Sequence, residues 1–554
     1  METAAPALQP VLPARETLWV KWFTLALMAY WGVFALVAPV MNWDSQSYNL
    51  SRLYIAHHHG LFGNTAWTSH RQIFFPWTFD AVHYPFLPLL RGYCLPSYAC
   101  FVGVLIIVYR LVSAARGAAT GWWCCLSLLA LPTLVFQSIC TKNDVAVVFA
   151  LACWFYAWRL WRERGENRYV VYMALALCFG AGAKTTGLPY LGILGTFTVW
   201  GLRHQIGQAG RFVGWGVVFF LLLGSVEIYY NNWLVYHAPL GPKGVIDTNV
   251  NHDGLAGAAA TFIRWCFGNM NIAVDAANPA SPFPGWMENA CRGFLHLVGL
   301  QDLGYRATTG DTDANMRFLK LGFDVGSDYG PVGALAILAG LVFLFARPWT
   351  DPIWKLAAAG FATLAMTSYT LAWMMWDARF LVQTFPLLTL ALALWIFSLG
   401  TTGAGRFVRT VFKVLVVYSA IIYPLYSVAK KPSDLVKAVR HRLVYETTER
   451  PSMLEVVSDL RRLKPTIGPS TLLLLGTDDS WSLSILEIPG LRVDSAGELS
   501  QKALETASRD GARPVYVLFL NRPFDQNFAA SLTLVSKYQE ADSALYRWQP
   551  TPAP

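Results

Sequence analysis

Apolar runs of about 17 to 25 residues recur along this chain, each long enough to cross the hydrocarbon core of a bilayer as a helix. Backbone in lipid must satisfy its own hydrogen bonds, so such runs commit the chain to a helical, multi-pass membrane fold. They cover roughly residues 18–40, 95–113, 118–137, 144–160, 169–182, 186–202, 212–236, 330–346, 354–374, 380–399 and 410–428, which predicts about eleven transmembrane helices. Composition agrees: 55% of the 554 residues are hydrophobic and 14% are charged, a balance that excludes an ordinary soluble enzyme.

The formal net charge of +9 would suit nucleic acid, but its position assigns it to the membrane. Alternate connections carry the basic residues: Arg15 and Lys21, then Arg110 and Arg116, then Arg159, Arg162, Arg164 and Arg168. Arg203 and Arg211, Arg347 and Lys355, and Arg406, Arg409 and Lys413 continue the series. The rule that cytoplasmic loops gather Lys and Arg then predicts a cytoplasmic tail at about residues 1–17, and a transmembrane domain at about 18–429 with outer loops near 41–94 and 238–328. The first run is too long, and lacks the small-residue cleavage pattern, for a removed signal peptide, so it reads as a retained helix.

That topology puts the unusual polar residues on one side. Asp44, Lys142, Asp144, Lys184, Asp328, Asp377 and Arg379 all fall at outward ends of spans, where a polar site at the interface is the simplest cause. Asp44 is the candidate catalytic residue. If the chain after Trp43 continues as a helix, Asp44, Tyr48 and Arg52 share nearly one face and present an acid, a phenol and a guanidinium together. Each residue also has a plainer reading. Asp44 and Asp144 suit helix caps, Lys184 suits snorkelling to the interface, and Arg379 suits a local pair with Asp377. Tyr48 and Arg52 suit a buried hydrogen bond and ion pair. The histidines His57, His58, His59, His70 and His83 lack the i, i+4 spacing of a zinc helix and read as polar loop surface. His252 and Asp253 could join Asp44 around a divalent cation, which the spacing leaves open. Trp43, Trp67, Trp77, Trp373 and Trp376 read as an interfacial belt, with stacking on a sugar as the alternative.

The last part, about 430–554, changes character. Thr471–Gly476, Val515–Leu520 and Ala544–Trp548 read as strands, with helices near 497–509 and 524–537, so a small α/β domain outside the membrane is expected. It has no glycine-rich nucleotide loop, and Asp478–Asp479 reads as a turn. Among nine cysteines, Cys266 and Cys291 share the second outer loop, where an oxidising compartment permits a disulfide.

Asn42-Trp-Asp-Ser-Gln-Ser-Tyr-Asn-Leu-Ser-Arg52 followed by Gly60 resembles the opening of the first outer loop of GT-C glycosyltransferases, the group that includes bacterial protein mannosyltransferase-like and aminoarabinose transferase proteins. Thr141-Lys-Asn-Asp144, Ala183-Lys-Thr-Thr-Gly187, the segment Asn232–Gly241, Ser327-Asp-Tyr-Gly330 and Asp377-Ala-Arg-Phe380 are similar to family segments in the same order. The resemblance extends over about residues 18–430, and the order carries it, because each string alone is short. Asp44–Ser45 stands where many members have an acidic pair. The resemblance implies an inverting transfer of a sugar from a polyprenyl-phosphate carrier, at the outer membrane face, to a glycan, lipid or protein acceptor. It implies Asp44 as the base and Arg379, Lys184 and Lys142 as cations on the leaving phosphate, with Tyr48, Arg52, Asp144 and Asp328 in acceptor or supporting roles. A transporter or flippase, or a non-catalytic assembly subunit, for a lipid-linked saccharide is the alternative.

Overall fold

The computed structural model describes residues 14–37, 75–86, 94–140, 142–270, 283–305, 318, 329–374, 377–400 and 402–429. Beyond these it describes residues 456, 459–460, 462–463, 465, 470–475, 492–496, 499–508, 514–519, 531–538 and 543–549. Asp44, Tyr48, Arg52 and Asp328 lie outside the described residues, as do His57, His58, His59, His70, Trp43, Trp67, Trp376 and Asp478–Asp479.

The chain divides into two compact units: residues 1–36, 76–79 and 94–430 form the first, and residues 37–75, 80–93 and 431–554 the second. The first is helical. Its first half contains α1 (Ala14–Val37), α2 (Thr78–His83, which runs on past its boundary), α3 (Leu95–Arg116), α4 (Ala118–Leu129), α5 (Pro132–Ser138), α6 (Asp144–Arg164), α7 (Asn167–Ala183), α8 (Leu188–Gly201), α9 (Ile206–Leu223) and α10 (Val226–Tyr236). Then follow α11 (Lys243–Asp247), α12 (Gly254–Gly268), α13 (Phe283–Leu297), α14 (Gly330–Ala346), α15 (Pro352–Thr370), α16 (Thr384–Ser398) and α17 (Gly403–Ala429). Every apolar run read from the sequence contains helix. By length and apolarity α1, α3, α6 and α9 could each cross a membrane alone, and α4 with α5 make a fifth candidate bent by 80°.

Local chemistry sets the boundaries. Proline occupies the first turn of α3, α5, α8, α14 and α15, where its missing N–H costs nothing. α6 stops at Gly165, whose φ of 69° is the left-handed cap that glycine adopts freely. Asp351 caps α15 by accepting from the Ile353 N–H at 2.8 Å and holds Arg347 at 3.1 Å. The expected seventh span is also broken, because Ser225, at φ 55°, separates α9 from α10. That left-handed residue is held in place by its neighbours: its hydroxyl accepts from the N–H groups of Trp77 (3.1 Å) and Thr78 (3.3 Å) and donates to the Gly182 carbonyl at 3.3 Å.

Packing around α6 and α7 is aromatic: Trp154, Trp161, Tyr169 and Phe212 are buried with Val170, Met173 and Leu177. The Trp161 indole donates to Gln208 at 2.7 Å, and Trp154 donates to Thr198 at 3.0 Å. Trp373 is not a lipid-facing belt residue, contrary to the sequence expectation. Trp373 is buried against Tyr305 and Phe318, and Trp77 gives its indole N–H to Glu227.

The second unit contains a five-stranded sheet of order β2-β1-β3-β5-β4, with β1 (Thr471–Leu475), β2 (Arg492–Ala496), β3 (Val515–Phe519), β4 (Leu532–Tyr538) and β5 (Ser543–Trp548). β1 runs parallel to β2 and β3, while β5 runs antiparallel to β3 and β4. α18 (Gln501–Ser508) contributes Leu504 and Ala507 to a core shared with Val515, Val517, Phe519 and Trp548. The helix expected near 524–537 is corrected at its end: from Leu532 the chain is strand, because Leu532-Thr-Leu-Val-Ser-Lys-Tyr538 is rich in strand formers and finds β5 as a partner. Strand β2 was not read from the sequence.

Candidate functional site

Three connections of the first unit bring their charged residues together. Lys142 and Asn143 lead from α5 into α6, whose first residue is Asp144. Lys184 ends α7 and begins the one-turn helix Thr185–Gly187, and Arg379 lies in the one-turn helix Asp377–Leu381. Lys184 makes an ion pair with Asp144 in which their side chains are 17% and 3% exposed. Burial pushes the Lys184 ammonium below the ordinary lysine range, Asp144 pulls it back up, and Arg379 and then Lys142 push it down again. Both cations therefore act on Lys184 across a poorly solvated space. Phe380 lies under the cluster, with its ring centroid 4.6 Å from Lys184 Nζ and 5.2 Å from the Arg379 guanidinium carbon.

Asp144 is not a capping residue. It occupies the first helical position, the preceding Asn143 makes no side-chain cap, and the Asp144 carboxylate is turned to Lys184. Asn143 instead donates to the Ala183 carbonyl at 2.7 Å, which ties the start of α6 to the end of α7. Lys142 is buried, and its carbonyl accepts from Ser97 at 3.3 Å. Tyr329, just ahead of α14, has its phenol pushed up by burial and further by Asp144, and its ring stacks on Phe385 at 3.7 Å.

The segment leading to Arg379 is anchored by the second loop. The Trp373 N–H donates to the Gly304 carbonyl at 2.7 Å, and that of Ala372 to Asn249 at 3.0 Å. Fully buried Arg264 holds this loop from α12: its guanidinium donates to the carbonyls of Leu303 and of Gln301 (2.8 Å) and lies 3.8 Å from the Tyr305 ring centroid. His252 and Asp253 are engaged within the loop, His252 with the Asp247 carbonyl at 2.6 Å and Asp253 with the Gly304 N–H at 2.6 Å. Cys266 and Cys291 are both buried and not disulfide-bonded, and burial with the neighbouring Cys291 pushes the Cys266 thiol up to about 12. Among the described residues no group of three His, Cys, Asp or Glu side chains is arranged to hold a metal ion.

Of the eight site residues read from the sequence, the structure therefore joins Lys142, Asp144, Lys184 and Arg379, while Asp44, Tyr48, Arg52 and Asp328 fall outside the described residues. Sequence reasoning missed Phe380, Tyr329 and Asn143 as members of the cluster. Phe380 and Tyr329 stand beside residues already singled out, and their adjacency was the available signal.

The chain has the fold of ArnT. A crystal structure of ArnT from Cupriavidus metallidurans bound to undecaprenyl phosphate superposes with a TM-score of 0.53 at 12% identity, covering 96% of this chain and 98% of that one. The apo-state crystal structure of the same protein gives a TM-score of 0.51 at 14% identity, with the same coverage. No family model matches the chain, and no curated protein matches it in sequence.

Proposed function

We propose that this protein is an inverting glycosyltransferase of a bacterial inner membrane that moves a sugar from a polyprenyl-phosphate donor to a glycan, lipid or protein acceptor at the outer face. The observation that carries this reading is the buried ion pair of Lys184 with Asp144, with Arg379 at the same Phe380 ring as Lys184 and Lys142 near enough to act on it. Lys184 and Arg379 over one ring, with Lys142 near enough to act on Lys184, form a basic cluster in a poorly solvated place, and such a cluster suits a phosphate leaving group as its bond to the sugar breaks. The fold likeness supports the same class, and the undecaprenyl phosphate bound in the ArnT crystal structure supports a carrier of that kind.

In this reading Asp44 takes the proton of the acceptor hydroxyl as it attacks the anomeric carbon, and Arg379, Lys184 and Lys142 stabilise the departing phosphate. Tyr48, Arg52 and Asp328 serve the acceptor or support the base, and Asp144 sets the position of Lys184. The C-terminal α/β domain acts as a lid or docks the acceptor. A divalent cation beside Asp44 remains part of the test. A transporter for the same lipid shares one feature, the 80° break between α4 and α5, since broken helices also build transport sites.

The deciding experiment is sugar transfer from undecaprenyl-phosphate-linked sugars by purified protein in nanodiscs, with and without chelator. Wild type should transfer or slowly hydrolyse the donor, and Asp44→Asn should fall by about 10²-fold or more. Bound donor with no turnover under any condition would favour transport, and near-normal turnover by Asp44→Asn would remove Asp44 as base.

A further inference from the structure

The break at Ala130–Leu131 leaves α5 as a short helix packed against α3, α4, α6 and the one-turn helix that carries Arg379. Near its end stands Gln137, 1% exposed, five positions ahead of Lys142. Its side-chain oxygen Oε1 is buried with no hydrogen-bond partner. A second buried polar atom without a partner, Thr186 Oγ1, lies two positions beyond Lys184. Buried polar atoms are nearly always paired in a finished structure. Among the described residues fourteen buried side-chain polar atoms lack a hydrogen-bond partner, and these two sit on the two segments that deliver lysines to the cluster.

Their chemistry differs in a way that identifies the missing group. A hydroxyl such as that of Thr186 can donate to a phosphate oxygen or accept from a sugar. A carboxamide oxygen can only accept, so Gln137 Oε1 needs an O–H or N–H. The phosphate of a polyprenyl-phosphate sugar is an ionised diester with no proton to give, whereas the sugar carries several hydroxyls and, in some cases, an amine. Of the two halves of the donor, only the sugar can offer Gln137 Oε1 a proton.

We infer that Gln137 is a specificity-determining residue, accepting a hydrogen bond from a hydroxyl or amino group of the donor sugar while Lys142, Lys184 and Arg379 hold the phosphate. This rests on the donor reading above and adds to it a sugar-facing contact on α5. Removing a hydrogen bond of this kind weakens binding only for ligands that make it.

The test is equilibrium binding of undecaprenyl phosphate, and of a panel of undecaprenyl-phosphate-linked hexoses and aminosugars, to wild type, Gln137→Met and Lys184→Met in nanodiscs. Gln137→Met should hold the sugar-free carrier as wild type does and lose about tenfold toward the sugar-linked carrier that wild type prefers. Lys184→Met should lose affinity for both. Binding of the sugar-free carrier also reports that Gln137→Met is folded, and a thiol-free, apolar side chain of Gln's length suits that buried site. Equal weakening toward both carriers, unchanged binding of every sugar-linked carrier, or a wild type that holds sugar-free and sugar-linked carriers alike would each overturn the assignment. A wild type that binds neither removes the donor reading itself, and the Gln137 contact with it.

Discussion

At the scale of single residues, the ion pair of Lys184 with Asp144 decides how the site behaves. Removing one partner of a buried pair leaves the other charge uncompensated, so Asp144→Asn should lower stability by about 3–5 kcal/mol, discounted only slightly because both side chains are mostly buried. Adding Lys184→Met should restore much of that loss, which thermal unfolding of the two single variants and the double variant in detergent would measure. The direction of the Lys184 shift gives a second expectation. Its ammonium is held below the ordinary lysine range, so it loses its proton as pH rises through that lowered value, earlier than an exposed lysine would. In wild type, affinity for undecaprenyl phosphate should therefore fall with rising pH before the range where an ordinary lysine titrates, and it should show a weaker pH dependence in Lys184→Met. A titration of carrier binding against pH checks this, and identical profiles for the two proteins would count against Lys184 as a phosphate contact. The sequence placed Lys142, Asp144, Lys184 and Arg379 at outward ends of apolar runs on one side, but which of them contact one another is beyond local chemistry. It assigned Asp144 equally to a cap, and only the position of Lys184 across the turn settled that.

At the scale of elements, close approach at glycine holds the cluster's connections in register. A Cβ on Gly182 would lie 1.6 Å from the Leu223 carbonyl oxygen, an atom that cannot swing away as a side chain can. The same carbonyl accepts from the Thr78 hydroxyl at 2.7 Å, so α7, α9 and α2 meet at one point, two positions before Lys184. Gly182→Ala should cost about 1–3 kcal/mol, the usual range for overpacking, and should reduce carrier binding beyond what the lost stability explains. Melting temperature and carrier affinity measured on the same preparation would test both. The helices were legible because a hydrophobic run in lipid has few alternatives, but the breaks at Ala130–Leu131 and Ser225 were not. Ser225 is an ordinary residue whose left-handed backbone is stabilised by partners far away in sequence, Trp77, Thr78 and Gly182. Likewise Leu532–Tyr538 is a strand through its pairing with β5, which a window of local pattern cannot contain.

At the scale of the whole molecule, the first and last helices of the helical unit are tied together. Glu16, in the first turn of α1, accepts from Lys413 of α17 and from the Trp123 indole of α4 at 2.9 Å. Lys413 also lies 5.4 Å from the Trp123 ring centroid. Each of Glu16→Gln and Lys413→Met should destabilise the unit by about 1 kcal/mol or more, and the double variant by less than the sum, because the two share one interaction. A double-mutant cycle on thermal unfolding measures the coupling; strict additivity would show that the pair is only a surface contact. The sequence by itself determined the helical membrane class, the approximate limits of the runs and the presence of a smaller α/β part, because burial in lipid and strand patterning act over a few turns of chain. Only the tertiary structure decided which helix ends meet. The charges at residues 142–144, 184 and 379 are far apart in sequence, and their interaction through a poorly solvated space depends on distances that packing sets and spacing along the chain does not.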